Sequence, residues 1–531
     1  MNIVQKLLKY NNAAYTGLFI MTHEEVRLCQ DLEKLTELEP KIKVLEWDVV
    51  TGLRQVTGEE QINTNYAATP EALGDVKKLL QHICSIKAEN CVYILKDFHL
   101  HFDKVVTIRQ LRNAWNYLKS KASMIVFTGH KFAIPGELLK EVQLMDYDLP
   151  KENDIKDIIN FVHRSINESR TIANKPLFED IAESVMEAAV EAAKGMTFFE
   201  IENAVAYAIS CAGKFDNKFV ETLFDEKIAQ LKKSGKLTYM KPDISFDSVG
   251  GMDGLKKWLS SRKKAYSKEA RNFNLPMPKG MLLASVPGTG KSLICKAIAK
   301  EFDCPLFALD IGSVFGSLVG SSEANMREMI KTIESVGKCV ILIDEIEKSL
   351  SNSAVSGQGD SGVGSRIFGT FLTWLNDRTN PAFIVATTNN HTLLPSALIR
   401  KGRFDQLFWV DLPSAQERKE IFEVVIKKYN RSPENFAIKS FVTGSENFTG
   451  AEIEEVFKDA MYKAFDNGEE VNDSHVMDVL AEFIPFAVSH EADLEIMRKQ
   501  AQGKLVMVSN QGNPIADVQK NMRKLSIAIG E

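Results

Sequence analysis

The stretch "LLASVPGTGKSLICKAIAK", Leu282 to Lys300, runs from an apolar strand-like segment through a glycine-bearing turn into text of helical period. Its middle, "SVPGTGKS", fits the phosphate-cradling pattern G-x-x-x-x-G-K-[ST] at every fixed position except the first, where Ser285 replaces glycine. Gly288 and Gly290, alternating with Pro287 and Thr289, let backbone N–H groups turn inward as a nest for phosphate oxygens. Lys291 can bridge the β- and γ-phosphates, and Ser292 can offer a hydroxyl to Mg²⁺. The helix that opens with Lys291, Ser292 and Leu293 points its positive end at the same anion. A strand before the loop and a helix after it make a plain glycine turn the weaker reading. Ser285 carries a Cβ that restricts φ, yet a β-region conformation at a strand exit suits it. The loop is therefore expected to hold a nucleoside triphosphate with at most a modest loss of affinity.

Further along, "CVILIDE" ends in Asp344-Glu345. Both carboxylates then fall at the C-terminal edge of a buried strand, where open parallel sheets place their ligands. Asp344 can hold Mg²⁺, and Glu345 can orient and polarise an attacking water. A strand followed by a solvated acidic turn is the rival reading, and the upstream loop weakens it.

Together these motifs resemble those of the AAA+ ATPases of the AAA clade, and further residues extend the likeness over about residues 240 to 490. "DSVGG" (247–251), containing Val249 and Gly250, resembles the clade's segment beside the adenine. "ATTNN" sets Asn389 where that family has its sensor asparagine. "LIRKGRFD" resembles the second region of homology, with Arg400 and Arg403 at the two arginines that reach a neighbour's nucleotide. "FTGAEIE" puts Gly450 and Ala451 at the lid position. A finer likeness reaches the whole chain: "SRIFGTFLTWLNDRTNPAFIVATTNN" and "RKGRFDQLFWVDLPSAQERKEIF" resemble AAA proteins encoded in some chloroplast genomes and in cyanobacteria, with relatives in other bacteria and phages.

The resemblance implies an α/β P-loop NTPase (AAA+) core with a parallel sheet and a helical lid, using ATP and Mg²⁺. It implies nucleotide contacts from Val249, Gly250, Pro287 to Leu293, Asp344, Gly450 and Ala451, with Ser292 and Asp344 on the metal. Glu345, Asn389, Arg400 and Arg403 form the implied catalytic set. Arginines that serve the next subunit's site imply a head-to-tail homo-oligomer, which closes into a ring, a hexamer in this family. The ring is expected to remodel a protein partner held by the N-terminal half; the alternative is a nucleotide-gated switch or scaffold. "VFGSLVG" (314–320) leans toward the alternative, because Leu318 stands where substrate-threading members carry an aromatic residue.

The chain states its plan twice. "KCVILIDEIEKSL" (338–350) echoes "NCVYILKDFHLHF" (90–102), and "VDLPSAQERKEIFEVV" echoes "YDLPKENDIKDIINFV". "FTGAEIEEVF" echoes "MTFFEIENAV", each opening on the Thr-x-x-Glu of a capping box. The first copy lacks the machinery. "THEEVRL" (22–28) stands where a phosphate loop belongs, and Glu24 and Glu25 would repel phosphate. "YILKDF" keeps Asp97 without a following Glu, and His130 falls at the sensor asparagine. The expected division is a degenerate AAA-like α/β domain (1–150), a helical lid-like bundle and linker (151–240), an AAA+ large domain (241–412), a helical lid (413–490) and a C-terminal helix and tail (491–531). His99 and His101 of "HLHF" could suit a metal, but with no third ligand near in sequence an exposed strand end is preferred. The Ser/Gly-rich "SLSNSAVSGQGDSGVGS" (349–365) reads as a mobile loop.

Composition bounds the rest. The 531 residues are 44% hydrophobic and 26% charged, with a net charge of -6, which argues against a general nucleic-acid binder. Seven cysteines without C-x-x-C spacing fit a reducing compartment. "MNIVQKLLKYNNAAY" has no signal-peptide pattern and no apolar run reaches the length of a membrane span. A cytoplasmic protein is expected, or a stromal one if plastid-encoded.

Overall fold

Apolar runs such as "GLFIM", "CVYIL" and "MIVF" carry no polar alternation, so they are stable only as strands covered on both faces. The computed structural model describes residues 3–55, 75–85, 89–130, 132, 134–233, 235, 237–312, 321–348 and 361–508, and the chain divides into two units, Met1–Val220 and Glu221–Glu531. In the first unit those runs become β1 (Gly17–Met21), β4 (Cys91–Lys96) and β5 (Met124–Gly129), joined by β2 (Lys43–Asp48), β3 (Gly52–Gln55) and β6 (Gln143–Asp146). All pairings are parallel except the edge pair β2–β3. One sheet face packs Trp47, Phe98, Trp115 and Phe127; the other packs Leu18, Ile20, Leu32 and Val126. The helices Glu152–Ile172, Glu183–Ala193 and Phe198–Ala212 follow.

The second unit repeats the order of the parallel strands. Its strands are β7 (Leu237–Met240), β8 (Gly280–Ser285), β9 (Leu306–Leu309), β10 (Val340–Ile343), β11 (Phe383–Thr388), β12 (Gln406–Val410) and β13 (Val506–Met507). The first sheet runs β3-β2-β4-β5-β1-β6 and the second β7-β9-β10-β11-β8-β12-β13. Five parallel positions correspond one to one, while the antiparallel edge strand follows β2 in the chain in the first unit and precedes β8 in the second. A lid of helices Ala415–Lys428, Ile438–Gly444, Gly450–Asp466 and Asp473–Glu482 has its own core of Phe422, Phe441, Val456, Phe457 and Val476. Thr197 with Glu200 and Thr449 with Glu452 both form the reciprocal bonds of a capping box.

One expectation changes. Ser361 to Ser365 belong to the helix Ser361–Asp377 and not to a loop. Ile367, Phe371, Trp374 and Leu375 of that helix are buried in the core, and this anchoring draws the helix start back into the Ser/Gly-rich text. Residues 349–360, and Leu318 with its loop, lie outside the described residues. The tail also contains β13, which lies parallel to β12 through Phe408↔Val506 and Trp409↔Met507.

Candidate functional site

The site grows from the end of β8. Ser285 is fully buried, and after it Gly288 and Gly290 take φ of +80° and +82°, the left-handed region that glycine enters without steric cost. Gly288 also needs its missing Cβ, which would lie 2.8 Å from Thr449 Oγ1. Thr289 Oγ1 closes the loop by donating to the Val286 carbonyl at 2.8 Å. The helix Lys291–Glu301 then starts from Gly290, with no side chain capping its first turn. Its free N–H groups are left facing the loop, as an anion site requires. Ser292 and Leu293, in that turn, are exposed.

Lys291 points back across the loop. Its Nζ donates to Ser285 Oγ at 3.0 Å and to Asn389 Oδ1. Burial holds its pKa below the usual lysine value, against the opposing pull of Asp344, Glu347 and Glu345. Both oxygen partners are neutral, and among the described residues Lys291 forms no ion pair. Asn389 sits at the end of β11, where its Nδ2 donates to Glu345 Oε1 at 2.8 Å and its backbone N–H to Glu347 Oε1 at 2.9 Å. Thr387, one strand over from β10, donates its hydroxyl to Asp344 Oδ1 and accepts the Glu345 N–H at 3.1 Å. Asp344 is exposed, with Glu345 beside it in the left-handed region at φ +47°. An uncapped helix start, an unpaired lysine and an exposed carboxylate within one corner fit a triphosphate and a divalent cation. Ser292 and Asp344 are the groups that would hold Mg²⁺, which when bound offsets charge on the phosphate oxygens.

A strap closes the site from the lid side. Val249 is buried, and a Cβ on Gly250 would stand 3.0 Å from the Ile421 backbone nitrogen. Gly251 donates its N–H to Glu420 Oε2 at 2.7 Å. Gly450 faces Ile421 as well, and the Ala451 N–H donates to the Gly288 carbonyl at 3.0 Å. The residues expected beside the base and at the lid thus meet at one seam. Sequence reasoning missed Thr387, Glu347, Glu420, Ile421 and the Ser285–Lys291 contact. The spacing Ser414-x-x-Glu417, a capping box in the structure, is a signal that could have marked the start of this lid helix. Arg400 and Arg403 stay apart from this corner. Arg400 is exposed, Arg403 Nη1 is buried without a partner, and neither guanidinium bonds a described residue.

The first unit fills the same corner differently. Glu24 is buried, pairs with Arg27 at 2.8 Å and accepts the Phe198 N–H at the start of a helix. A carboxylate of the chain itself therefore occupies the N-terminus of the lid-like helix Phe198–Ala212, which is not the helix Glu25–Leu38 that follows β1. Glu25 Oε1 accepts the Thr128 hydroxyl at 3.1 Å, and burial raises its pKa in spite of that bond. One reading of the echo needs correcting. Asp97 has φ +50° like Glu345, and Lys96 pairs in register with Thr128. Asp97 therefore stands at the position of Glu345, and Lys96 replaces Asp344. Lys96 is bound to Glu46 at 2.7 Å.

Sheet order, phosphate loop and strand-end carboxylates define a P-loop NTPase of the AAA class. Residues 281–412 match the AAA family, described as "ATPase family associated with various cellular activities". Residues 3–147 match the N-terminal domain, and residues 154–234 the second domain, of SpoVK-like AAA ATPases. The chain belongs to the family of the AAA domain-containing protein ycf46. It is 33% identical over 517 residues to that protein of Trieres chinensis, covering 96% of this chain and 99% of the other. With the Guillardia theta protein it shares 32% over 516 residues, covering 96% and 97%. The Cell division cycle protein 48 homolog of Archaeoglobus fulgidus is 30% identical over 224 residues, covering 41% of this chain and 30% of that one.

Proposed function

We propose that this protein binds ATP with Mg²⁺ and hydrolyses it in a homo-oligomeric ring, a hexamer, that remodels a protein partner held by the first unit. The reading rests on the contacts that run from Lys291 through Asn389 to Glu345. In phosphoryl transfer the protein mainly positions groups and supplies charge. Lys291 can move onto phosphate by giving up two neutral acceptors. Asn389 links that lysine to Glu345, whose carboxylate orients the attacking water. One Glu345 oxygen is held by Asn389 and the other by Lys348 at 2.5 Å, so Glu345 reaches water when the exposed Lys348 swings away. Arg400 and Arg403 serve the neighbouring subunit's site, a contribution worth about 10³–10⁵ in rate for arginines supplied in GTPases.

The same reading divides the chain at 150, 240, 412 and 490, expects no nucleic-acid partner, and sets the protein in the cytoplasm or a plastid stroma. No described helix is long and apolar enough to cross a membrane. Leu318 favours the second reading, a nucleotide-gated switch or scaffold that does not thread substrate. Glu345→Gln tests the shared chemistry. The variant should bind ATP with near wild-type affinity while phosphate release falls about a hundredfold or more. Turnover at the wild-type rate would overturn the assignment. A partner captured by this variant with ATP, and released with ADP, favours remodelling; an ATP-dependent change in assembly alone favours the switch.

A further inference from the structure

In the first unit, the positions that carry Glu345, Glu347 and Asn389 in the second are occupied by Asp97, His99 and His130. The sequence offers only the pair His99 and His101, two apart and pointing to no third ligand. Folding supplies it from another strand. Asp97 and His99 follow β4 and His130 follows β5, and one ligand atom from each lies within 4.8 Å of the others. The strand ends are fixed by the Asp97 N–H, which donates to the Thr128 carbonyl at 3.2 Å, and by the Thr22 N–H, which donates to the Gly129 carbonyl at 3.0 Å. His99 packs so closely on Gly129 that a Cβ there would stand 2.8 Å from its Nδ1. That nitrogen is buried without a hydrogen-bond partner. His23 stacks on His130 with ring centroids 5.7 Å apart and 22° between planes, which offers a third imidazole as a fourth ligand.

We propose that Asp97, His99 and His130 bind one divalent transition-metal ion, Zn²⁺ or its chemical equivalent. Two imidazoles and a carboxylate suit a borderline ion with a fourth position for water or His23. Ligand atoms around tetrahedral Zn²⁺ lie about 3.4 Å apart, so the set closes by rotation of the exposed Asp97 and His130 side chains while His99 stays fixed. The ion would clamp the ends of β4 and β5, where the second unit does its phosphate chemistry. This inference is independent of hydrolysis at Glu345.

The test uses the full-length chain stripped by a chelator and titrated with Zn²⁺ against a chromophoric competitor, then with Co²⁺ followed by its visible absorption. Wild type should take up one ion more than the His99→Ala/His130→Ala double variant and show a Co²⁺ band that the variant lacks. Each single substitution should weaken binding about tenfold or more. Zn²⁺ should also raise the melting temperature of wild type and not of the variant. Asp344→Asn, in the other unit, should leave the band unchanged. If His99→Ala misfolds, His130→Ala carries the test, because His130 is exposed. Equal uptake by wild type and His130→Ala, or no uptake by wild type, would overturn the proposal.

Discussion

At the scale of one residue, Ser285 shows how a departure from a motif can become a contact. Glycine there could give Lys291 nothing, whereas the serine hydroxyl accepts its ammonium at 3.0 Å and donates to the Val286 carbonyl at 3.2 Å. The loop amides that would wrap phosphate lie beyond it, and Ser285 is not among the residues with positive φ. Ser285→Gly should therefore change ATP affinity by less than about tenfold, in line with about 1 kcal/mol for one hydrogen bond. Titration calorimetry with a non-hydrolysable analogue reads this directly. A gain larger than tenfold would mean that serine holds Lys291 away from phosphate. The substitution itself was legible in the sequence. Its partner was not, because the ammonium reaches Ser285 only once the loop turns back on itself. Asp97 is a similar case: read as an Asp that lacks its following Glu, it is set against Glu345 by its left-handed backbone and the Lys96↔Thr128 register.

At the scale of elements, the apolar runs, the parallel sheets and the lid capping boxes could be read in advance, because burial on both faces and side-chain capping are local signatures. What could not be read are contacts between segments far apart in sequence. The strap at 249–251 is one. Gly251 has φ +71°, its N–H is held by Glu420, and a Cβ would stand 2.5 Å from Glu417 Cγ. Gly251→Ala should therefore strain the backbone and push the lid helix Ala415–Lys428 off the strap. Nucleotide affinity should fall about tenfold or more, since strain of about 1–3 kcal/mol is added, while Lys291 and Glu345 are untouched. Unchanged affinity would detach the strap from nucleotide binding. The counterpart in the first unit is Glu24 against the Phe198 N–H. Glu24→Ala leaves that amide without its acceptor and Arg27 with only the Asp148 carbonyl at 3.1 Å among the described residues, at a cost of about 1–3 kcal/mol. Melting of the first unit should drop by several degrees, with ATP turnover by the second unit preserved in the folded protein.

At the scale of the whole molecule, the two units share the order of five parallel strands and differ in the residues at the strand ends. In the first, Glu24 stands where the phosphate loop would be and binds the lid-like helix through the Phe198 N–H, and the strand-end acid is replaced by Lys96, already bound to Glu46. Nucleotide stoichiometry should therefore be one per chain, and two tightly bound nucleotides would contradict that reading. The arginines carry the remaining argument. Arg403 Nη1 is buried without a partner, and neither arginine bonds the corner built on Lys291, Glu345 and Asn389. If their partner is a neighbour's phosphate, Arg400→Ala or Arg403→Ala should leave ATP affinity nearly intact and collapse turnover. Mixing either variant with Lys291→Ala protein then distinguishes the two geometries. A mixed ring places some intact pockets beside intact arginines, so turnover should return in mixtures of two inactive proteins. The subunits must exchange before ATP is added, which a labelled pair can report. With exchange established, recovered turnover requires that a pocket on one chain be completed by an arginine on another. Absence of recovery in every mixture would place the arginines in their own chain's site and remove the ring from the catalytic unit.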